Sequence, residues 1–237
     1  ITLLRERVAN HPEDAVSRNN LSCFLMKQGR MQEAQAELLE ALKVRPLDID
    51  ARFNLAFLHA QIGQVRPALE HYKAILERFP DDMRALSEVC YLMSERQSNP
   101  VDAQPFCERA AKGAPGDRVL AMNLGLVQMR AGNIDAAEST FKALLDVAPE
   151  NSGALTYLGY VALQRGEFEE AKARFEVAAR AAGENPDALV GLARAHQARH
   201  EYREAAASYR RAYELTGNGI FFGALIKVHL QRYYYVI

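Results

Sequence analysis

The stretch LGLVQMRAGNIDAAESTFKALLDVAP, residues 124–149, contains a set of positions that returns along the chain every 34 residues, with one step of 35. Each set opens with an apolar residue followed by a small one: Leu21-Ser22, Leu55-Ala56, Val89-Cys90, Leu124-Gly125, Leu158-Gly159 and Leu192-Ala193. An alanine follows each pair by 12 to 14 residues: Ala34, Ala68, Ala103, Ala137, Ala171 and Ala205. Equivalent positions of successive sets are called a column here. Two columns that share one period indicate a repeat protein rather than a globular enzyme domain.

Each repeat is predicted to contain two amphipathic helices separated by a short turn, because apolar residues fall at helical spacing on both sides of a glycine. Glycine ends a helix well, since it adopts positive φ without strain; these are Gly29, Gly63, Gly132 and Gly166. A proline closes most second helices: Pro46, Pro80, Pro115 and Pro149. Four residues after the alanine comes a larger side chain that we expect to fill the core: Leu38, Tyr72, Cys107, Phe141, Phe175 and Tyr209.

This pattern resembles the tetratricopeptide repeat family. The resemblance implies an all-α, right-handed solenoid of antiparallel helix pairs. Six repeats are predicted, at residues 15–48, 49–82, 83–117, 118–151, 152–185 and 186–219. Residues 1–14 are predicted to contain the end of a preceding helix, and residues 220–237 a terminal helix with the aromatic tail Tyr233–Ile237.

The third repeat departs most from the pattern. Residues 97–100, Gln-Ser-Asn-Pro, replace the glycine turn, and Pro105 follows soon after. Proline fits the first turn of a helix but not its interior. The second helix of this repeat is therefore predicted to start near Asp102, after a longer and more mobile loop.

The cysteines show no metal-ligand spacing, and three of them cannot all pair within one chain. Cys90 and Cys107 occupy core columns and are interpreted as small buried hydrophobes, whereas Cys23 is predicted to be a reachable thiol facing the groove. Unpaired cysteines favour a reducing compartment such as the cytoplasm, with the periplasm as the alternative.

Catalysis is not indicated. His196 and His200 have a spacing that suits zinc, but no third ligand accompanies them, so no metal site is predicted. No local set of nucleophile, base and orienting acid is present, and no cofactor motif is found. We therefore interpret the chain as a non-enzymatic protein.

The formal net charge of −1, without a basic stripe, argues against a nucleic-acid partner. The apolar stretch 220–237 is interrupted by Lys227, His229, Gln231 and Arg232, so no membrane span is predicted. A first residue other than Met and incomplete helix pairs at both ends predict a piece of a longer protein. Abundant alanine, with more arginine than lysine, favours a bacterial source.

The family resemblance implies that the first helices line a groove that binds a peptide or helix of a partner protein. The positions that line the groove in this family correspond to the following residues of this chain: Asn20, Phe53, Asn54, Phe57, Arg84, Tyr91, Met122, Asn123, Arg130, Tyr157, Tyr160 and Arg194. The three asparagines share one column and are either a ladder for a peptide backbone or an inherited consensus position. Glu88 stands where family members that clamp a carboxylate have a cation, which argues against that subclass.

The predicted function is a protein-binding scaffold within a larger bacterial assembly protein. Two alternatives remain at this point. One is the substrate-recognition arm of an enzyme or secretion machine whose active or membrane part lies elsewhere. The other is self-assembly through the solenoid ends or the aromatic tail.

Overall fold

The computed structural model describes residues 2–95, 100–181 and 184–234. Within these ranges the chain forms fourteen α-helices and no strand. The helices are α1 (Thr2–Asn10), α2 (Ala15–Lys27), α3 (Met31–Val44), α4 (Ile49–Gln61), α5 (Val65–Arg78), α6 (Met83–Glu95), α7 (Pro100–Gly113), α8 (Arg118–Arg130), α9 (Ile134–Val147), α10 (Ser152–Arg165), α11 (Phe168–Arg180), α12 (Pro186–Ala198), α13 (Tyr202–Thr216) and α14 (Gly219–Tyr234). The all-α prediction is confirmed.

Each predicted repeat contains one antiparallel pair, from α2 with α3 to α12 with α13. The even-numbered helices α2 to α12 are called the first helices here, and their partners the second helices. The chain divides into two compact units, Ile1–Pro115 and Gly116–Ile237. The first unit contains α1 to α7 and the second contains α8 to α14.

Local sequence explains where the helices begin and end. Side-chain oxygens at the N-caps accept hydrogen bonds from backbone N–H groups of the first turn, which otherwise lack partners; these caps are Asp14, Asp48, Asp117, Asn151 and Asn185. Gly29, Gly63, Gly132 and Gly166 have φ of 74°, 79°, 82° and 78° in the turns between paired helices. In the sixth repeat, His200 occupies the glycine position with φ of 63°.

The core of each repeat depends on a small residue of the first helix facing a large residue of the second. A Cβ atom added to Gly125 would lie 2.4 Å from Cε1 of Phe141, and one added to Gly159 would lie 2.7 Å from Cε1 of Phe175. Both rings are completely buried. The glycines therefore make room for rings that fill the space between the two helices.

The third repeat fills the same two positions differently. Cys90 of α6 and Cys107 of α7 form a disulfide bond, with their Cα atoms 4.8 Å apart. The interpretation of these residues as unpaired thiols was wrong, because the columns that oppose a glycine and a ring elsewhere bring these two side chains into contact. The preference for a reducing compartment, which rested on unpaired thiols, loses that support.

The start of α7 also differs from the prediction. The helix begins at Pro100 rather than near Asp102. Pro100 is tolerated there because a first-turn N–H has no intrahelical acceptor. Pro105 lies inside the helix, where it removes one N–H donor from the hydrogen-bond ladder. The loop predicted before α7 lies outside the described residues.

Candidate functional site

In the first unit, side chains at predicted groove positions of α4 and α6 contact each other. The Arg84 guanidinium donates a hydrogen bond to Asp50, with an N–O distance of 2.9 Å. It also lies over the Phe53 ring, 5.0 Å from its centroid. Phe53 in turn contacts the edge of the buried Tyr72 ring from α5, with centroids 5.2 Å apart. Arg84 and Phe53 therefore link the first helices of successive repeats.

Glu88 lies one helical turn beyond Arg84. Its side chain is half-buried, and this burial raises the pKa of its carboxyl group above the ordinary value. The Tyr72 hydroxyl is buried and has no hydrogen-bond partner in the part of the chain that the structure describes. Burial, and then the nearby charge of Glu88, raise the pKa of Tyr72. Tyr91, three residues after Glu88, is 48% exposed.

The asparagine column has three different environments. Asn54 donates from Nδ2 to Oδ1 of Asn19 at 2.8 Å, and the same nitrogen lies 3.4 Å from Sγ of the half-buried Cys23. Asn20 is exposed, whereas Asn123 is only 5% exposed. The Asn123 Nδ2 atom has no hydrogen-bond partner among the described residues. Asn54 thus contributes to the contact between α2 and α4, and Asn123 lies in the interior of the second unit.

In the second unit, two tyrosines at predicted groove positions of α10 pack against buried rings of α9 and α11. Tyr157 stacks on the buried Phe141 ring at a centroid distance of 5.4 Å, and Tyr160 meets the edge of Phe175 at 5.0 Å. The Tyr160 hydroxyl donates to the backbone carbonyl of Asp187 at 3.2 Å. Burial raises the pKa of Tyr160 to about 12. The two tyrosines are half-buried and present their remaining surface on α10.

Cations and apolar side chains complete the predicted set. The Arg194 guanidinium lies 5.8 Å from the Tyr160 ring centroid, which links α12 to α10. Met122 packs against the core of the fourth and fifth repeats, with its methyl group beside Gly153. Arg130 is exposed, and Phe57 is half-buried.

One contributor to the site was not predicted for it. Tyr72 belongs to the core column of a second helix, yet its ring touches Phe53 and its hydroxyl group lies near the Glu88 charge. The sequence signal for it was weak, because most large residues in this column only fill the core. Its hydroxyl group is the feature that distinguishes it from Phe141 and Phe175.

The histidine pair does not assemble a metal site. His196 Nδ1 lies 2.6 Å from a Glu201 carboxylate oxygen, and His200 Nδ1 lies 2.9 Å from the Tyr202 hydroxyl. The described residues contain no group of three or more His, Cys, Asp or Glu side chains that could hold a metal ion. Likewise, none of the described helices is both long and apolar enough to cross a membrane. The α14 helix includes Tyr233 and Tyr234, and residues 235–237 lie outside the described part.

Comparison with known proteins identifies the class. Tetratricopeptide repeat family profiles match residues 3–89, 122–186 and 158–220, which together are most of the chain. The chain belongs to the tetratricopeptide repeat family. Proteins of this family generally act as protein–protein interaction scaffolds.

Individual relatives match only parts of the chain. Intraflagellar transport protein 70A of Xenopus laevis is 36% identical over 66 residues, which are 28% of this chain and 10% of that protein. Cellulose synthase operon protein C of Pseudomonas fluorescens is 28% identical over 133 residues, 53% of this chain and 10% of that protein. The matched region thus spans about a tenth of the length of these curated relatives.

A solved structure supports the fold. It is the crystal structure of YrrB, described as a tetratricopeptide repeat protein with an unusual peptide-binding site. It aligns with a TM-score of 0.72 and 18% sequence identity, over 78% of this chain and 95% of that chain. At this identity the likeness shows a helical-repeat solenoid fold and nothing more specific.

Proposed function

We propose that this chain is a non-enzymatic scaffold whose first helices bind a peptide segment or helix of a partner protein. The observation that carries the proposal is the set of partly exposed aromatic side chains at groove positions, Phe53, Tyr91, Tyr157 and Tyr160. Phe53, Tyr157 and Tyr160 each pack against a buried aromatic ring. Aromatic residues held in one orientation provide large contact area at low entropic cost, as in binding hot spots.

The polar groups around these rings support the same function. Arg84 and Arg194 each lie over a groove ring and are themselves exposed. Exposed guanidinium groups beside aromatic surface can hydrogen-bond to the carbonyl groups of an extended peptide. Within each unit, a ligand would therefore find an aromatic ring and a guanidinium group on neighbouring first helices.

The relatives suggest a setting for such binding. The similarity to cellulose synthase operon protein C, and to YrrB with its peptide-binding site, supports a peptide-binding region of a larger bacterial assembly protein. We include this setting in the proposal, together with the protein or peptide nature of the partner.

Selection of phage-displayed random peptides against the whole chain tests the proposal. We expect enriched peptides whose affinity for the Tyr160→Ala variant is lower by about tenfold, a loss of about 1.4 kcal/mol. Tyr213→Ala is the matched control, because Tyr213 is a partly exposed tyrosine on the second helix α13. Failure to enrich any peptide, or equal losses in both variants at unchanged helical content, would contradict a binding site on the first helices.

A further inference from the structure

We propose that the peptide bound by the first unit presents a lysine or arginine side chain to Glu88, between α4 and α6. This inference rests on the proposed function and specifies the chemistry of the partner. It assigns the third repeat a role in selecting ligands by charge, in addition to the apolar contacts of the groove.

Glu88 carries a charge that no described residue compensates by an ion pair or a hydrogen bond. Among residues 2–95, 100–181 and 184–234, the Glu88 carboxylate has no ion pair and no hydrogen bond. Arg84 lies four residues earlier on α6, but its guanidinium binds Asp50 at 2.9 Å and Asp82 at 3.4 Å. A half-buried carboxylate without a partner is unfavourable in the free protein, so a ligand cation that neutralises it gains affinity.

An exposed aromatic side chain near Glu88 suits the same ligand. The Tyr72 ring is completely buried and cannot contact a ligand, although its hydroxyl, unpartnered among the described residues, lies near the Glu88 charge. Tyr91 is placed three residues after Glu88 and therefore on the same side of α6, where it is half exposed. Cations bind favourably over aromatic faces, and a carboxylate beside such faces is the combination that recognises lysine and arginine side chains.

The sign of the charge on Glu88 favours a cation over an anion. The guanidinium of Arg84, one turn earlier on α6, is already paired with Asp50 and Asp82. At the position of Glu88, the other repeats carry uncharged residues: Asn20, Asn54, Asn123, Tyr157 and Gly191. The negative charge in this column is therefore specific to the third repeat, and charge complementarity predicts a basic residue at one register of the bound peptide.

The test is a selection of phage-displayed random peptides against three whole-chain proteins: the wild type, Glu88→Gln and Glu77→Gln. Glu77 is an exposed glutamate on the second helix α5, so its variant is the matched control for loss of one negative charge. We expect lysine or arginine to be enriched at one peptide position with the wild type and with Glu77→Gln. The enrichment should disappear with Glu88→Gln.

A peptide from the wild-type selection then allows a double-mutant cycle. Replacing its basic residue with norleucine should weaken binding to the wild type by about tenfold and binding to Glu88→Gln by less than about twofold. Circular dichroism melting establishes that both variants remain folded. If Glu88→Gln does not fold, the norleucine peptide measured against the wild type alone still decides whether the basic residue contributes.

The outcomes separate this inference from the proposed function. Peptides that bind the groove without a preferred basic residue would overturn the role of Glu88 and leave peptide binding intact. The same conclusion follows if Glu88→Gln retains the enrichment. If no peptide is enriched by the wild type, both the inference and the proposed function are wrong.

Discussion

The third and fifth repeats place different chemistry at the same core positions. In the fifth repeat, Gly159 makes room for the buried Phe175 ring, so the contact between its two helices depends on shape. In the third repeat, Cys90 and Cys107 occupy these positions and the helices are joined by a covalent bond. A disulfide is much smaller than a phenyl ring. It stabilises mainly by restricting the unfolded chain, whereas the ring removes apolar surface from water.

The two repeats also differ at their predicted groove positions. Tyr157 and Tyr160 of the fifth repeat pack against the rings of Phe141 and Phe175. The buried core therefore sets the orientation of these two partly exposed rings. In the third repeat, Glu88 takes the position of Tyr157 and carries a charge instead of a ring. One backbone pattern therefore accepts an apolar core in one repeat and a covalent core in another. It also accepts a neutral or a charged residue at one predicted groove position.

Removing the ring from the fifth repeat is expected to have the largest effect. Phe175→Ala should lower the free energy of unfolding by about 3 to 5 kcal/mol, because the ring is completely buried and leaves a cavity. The ring also fills the space beside Gly191, where an added Cβ atom would lie 2.2 Å from Cε1 of Phe175. Hydrogen exchange should therefore show lost protection in α10, α11 and α12.

Phe222→Ala is the control for that variant, since this phenylalanine of α14 is 48% exposed. Its cost should stay below about 1 kcal/mol, as is usual for surface substitutions. A loss for Phe175→Ala no larger than that of the control would show that the ring does not support the repeat.

Reduction of the disulfide should destabilise the third repeat by a smaller amount. Cys90 and Cys107 are 17 residues apart, and closing a loop of about 15 residues contributes about 3 kcal/mol in the chain-entropy model. Melting of the wild type with and without dithiothreitol should show this difference, and hydrogen exchange should locate it in α6 and α7. Protection of α10 and α11 should not change.

Two variants sharpen this measurement. Cys23→Ala should keep the full response to dithiothreitol, because Cys23 is the cysteine outside the disulfide. Replacing the pair with the residues of the fifth repeat, Cys90→Gly with Cys107→Phe, should make the melting temperature independent of reductant. Labelling of three thiols in the unfolded, unreduced wild type would contradict the disulfide.

Much of this fold could be predicted from the sequence because the repeat imposes the same physical demands six times. Glycine at the turns and proline after the helices are favoured by backbone geometry, and both are visible in the sequence. The disulfide was missed because Cys90 and Cys107 fit their columns equally well as small apolar residues. Only the geometry of the helix pair shows that these two columns face each other.

The candidate site was less predictable than the fold. A column of three asparagines suggested equivalent positions, yet Asn54 bonds to Asn19 while Asn123 is buried. The position of a residue on a helix face determines the direction in which its side chain points. It does not determine how closely the next helix approaches that side chain. The environments of the aromatic residues Phe53, Tyr157 and Tyr160 were easier to predict. A large side chain at a half-buried position has few alternatives to packing against its neighbours.

The smallest expected effect is the pH dependence that Glu88 gives to the third repeat. Burial raises the pKa of its carboxyl group in the folded state, so the folded protein binds a proton more tightly than the unfolded chain does. The contribution of Glu88 to stability should therefore fall as pH rises from the ordinary carboxyl pKa through the raised value, and level off above it. Tyr72 of α5 lies near this carboxyl group, and Arg84 precedes it by one turn of α6. Both residues are present in every variant.

Chemical denaturation of the wild type, Glu88→Gln and Glu77→Gln across this pH range isolates the contribution, since the other ionisable groups are shared. Glu88→Gln should gain relative to the wild type as pH rises, by less than about 1 kcal/mol, because solvent still screens a half-exposed carboxylate. Glu77→Gln should follow the wild type throughout. Parallel curves for wild type and Glu88→Gln would mean that the carboxylate is already well solvated or paired, and the third repeat would then lack the uncompensated charge that distinguishes its groove position from Tyr157 in the fifth.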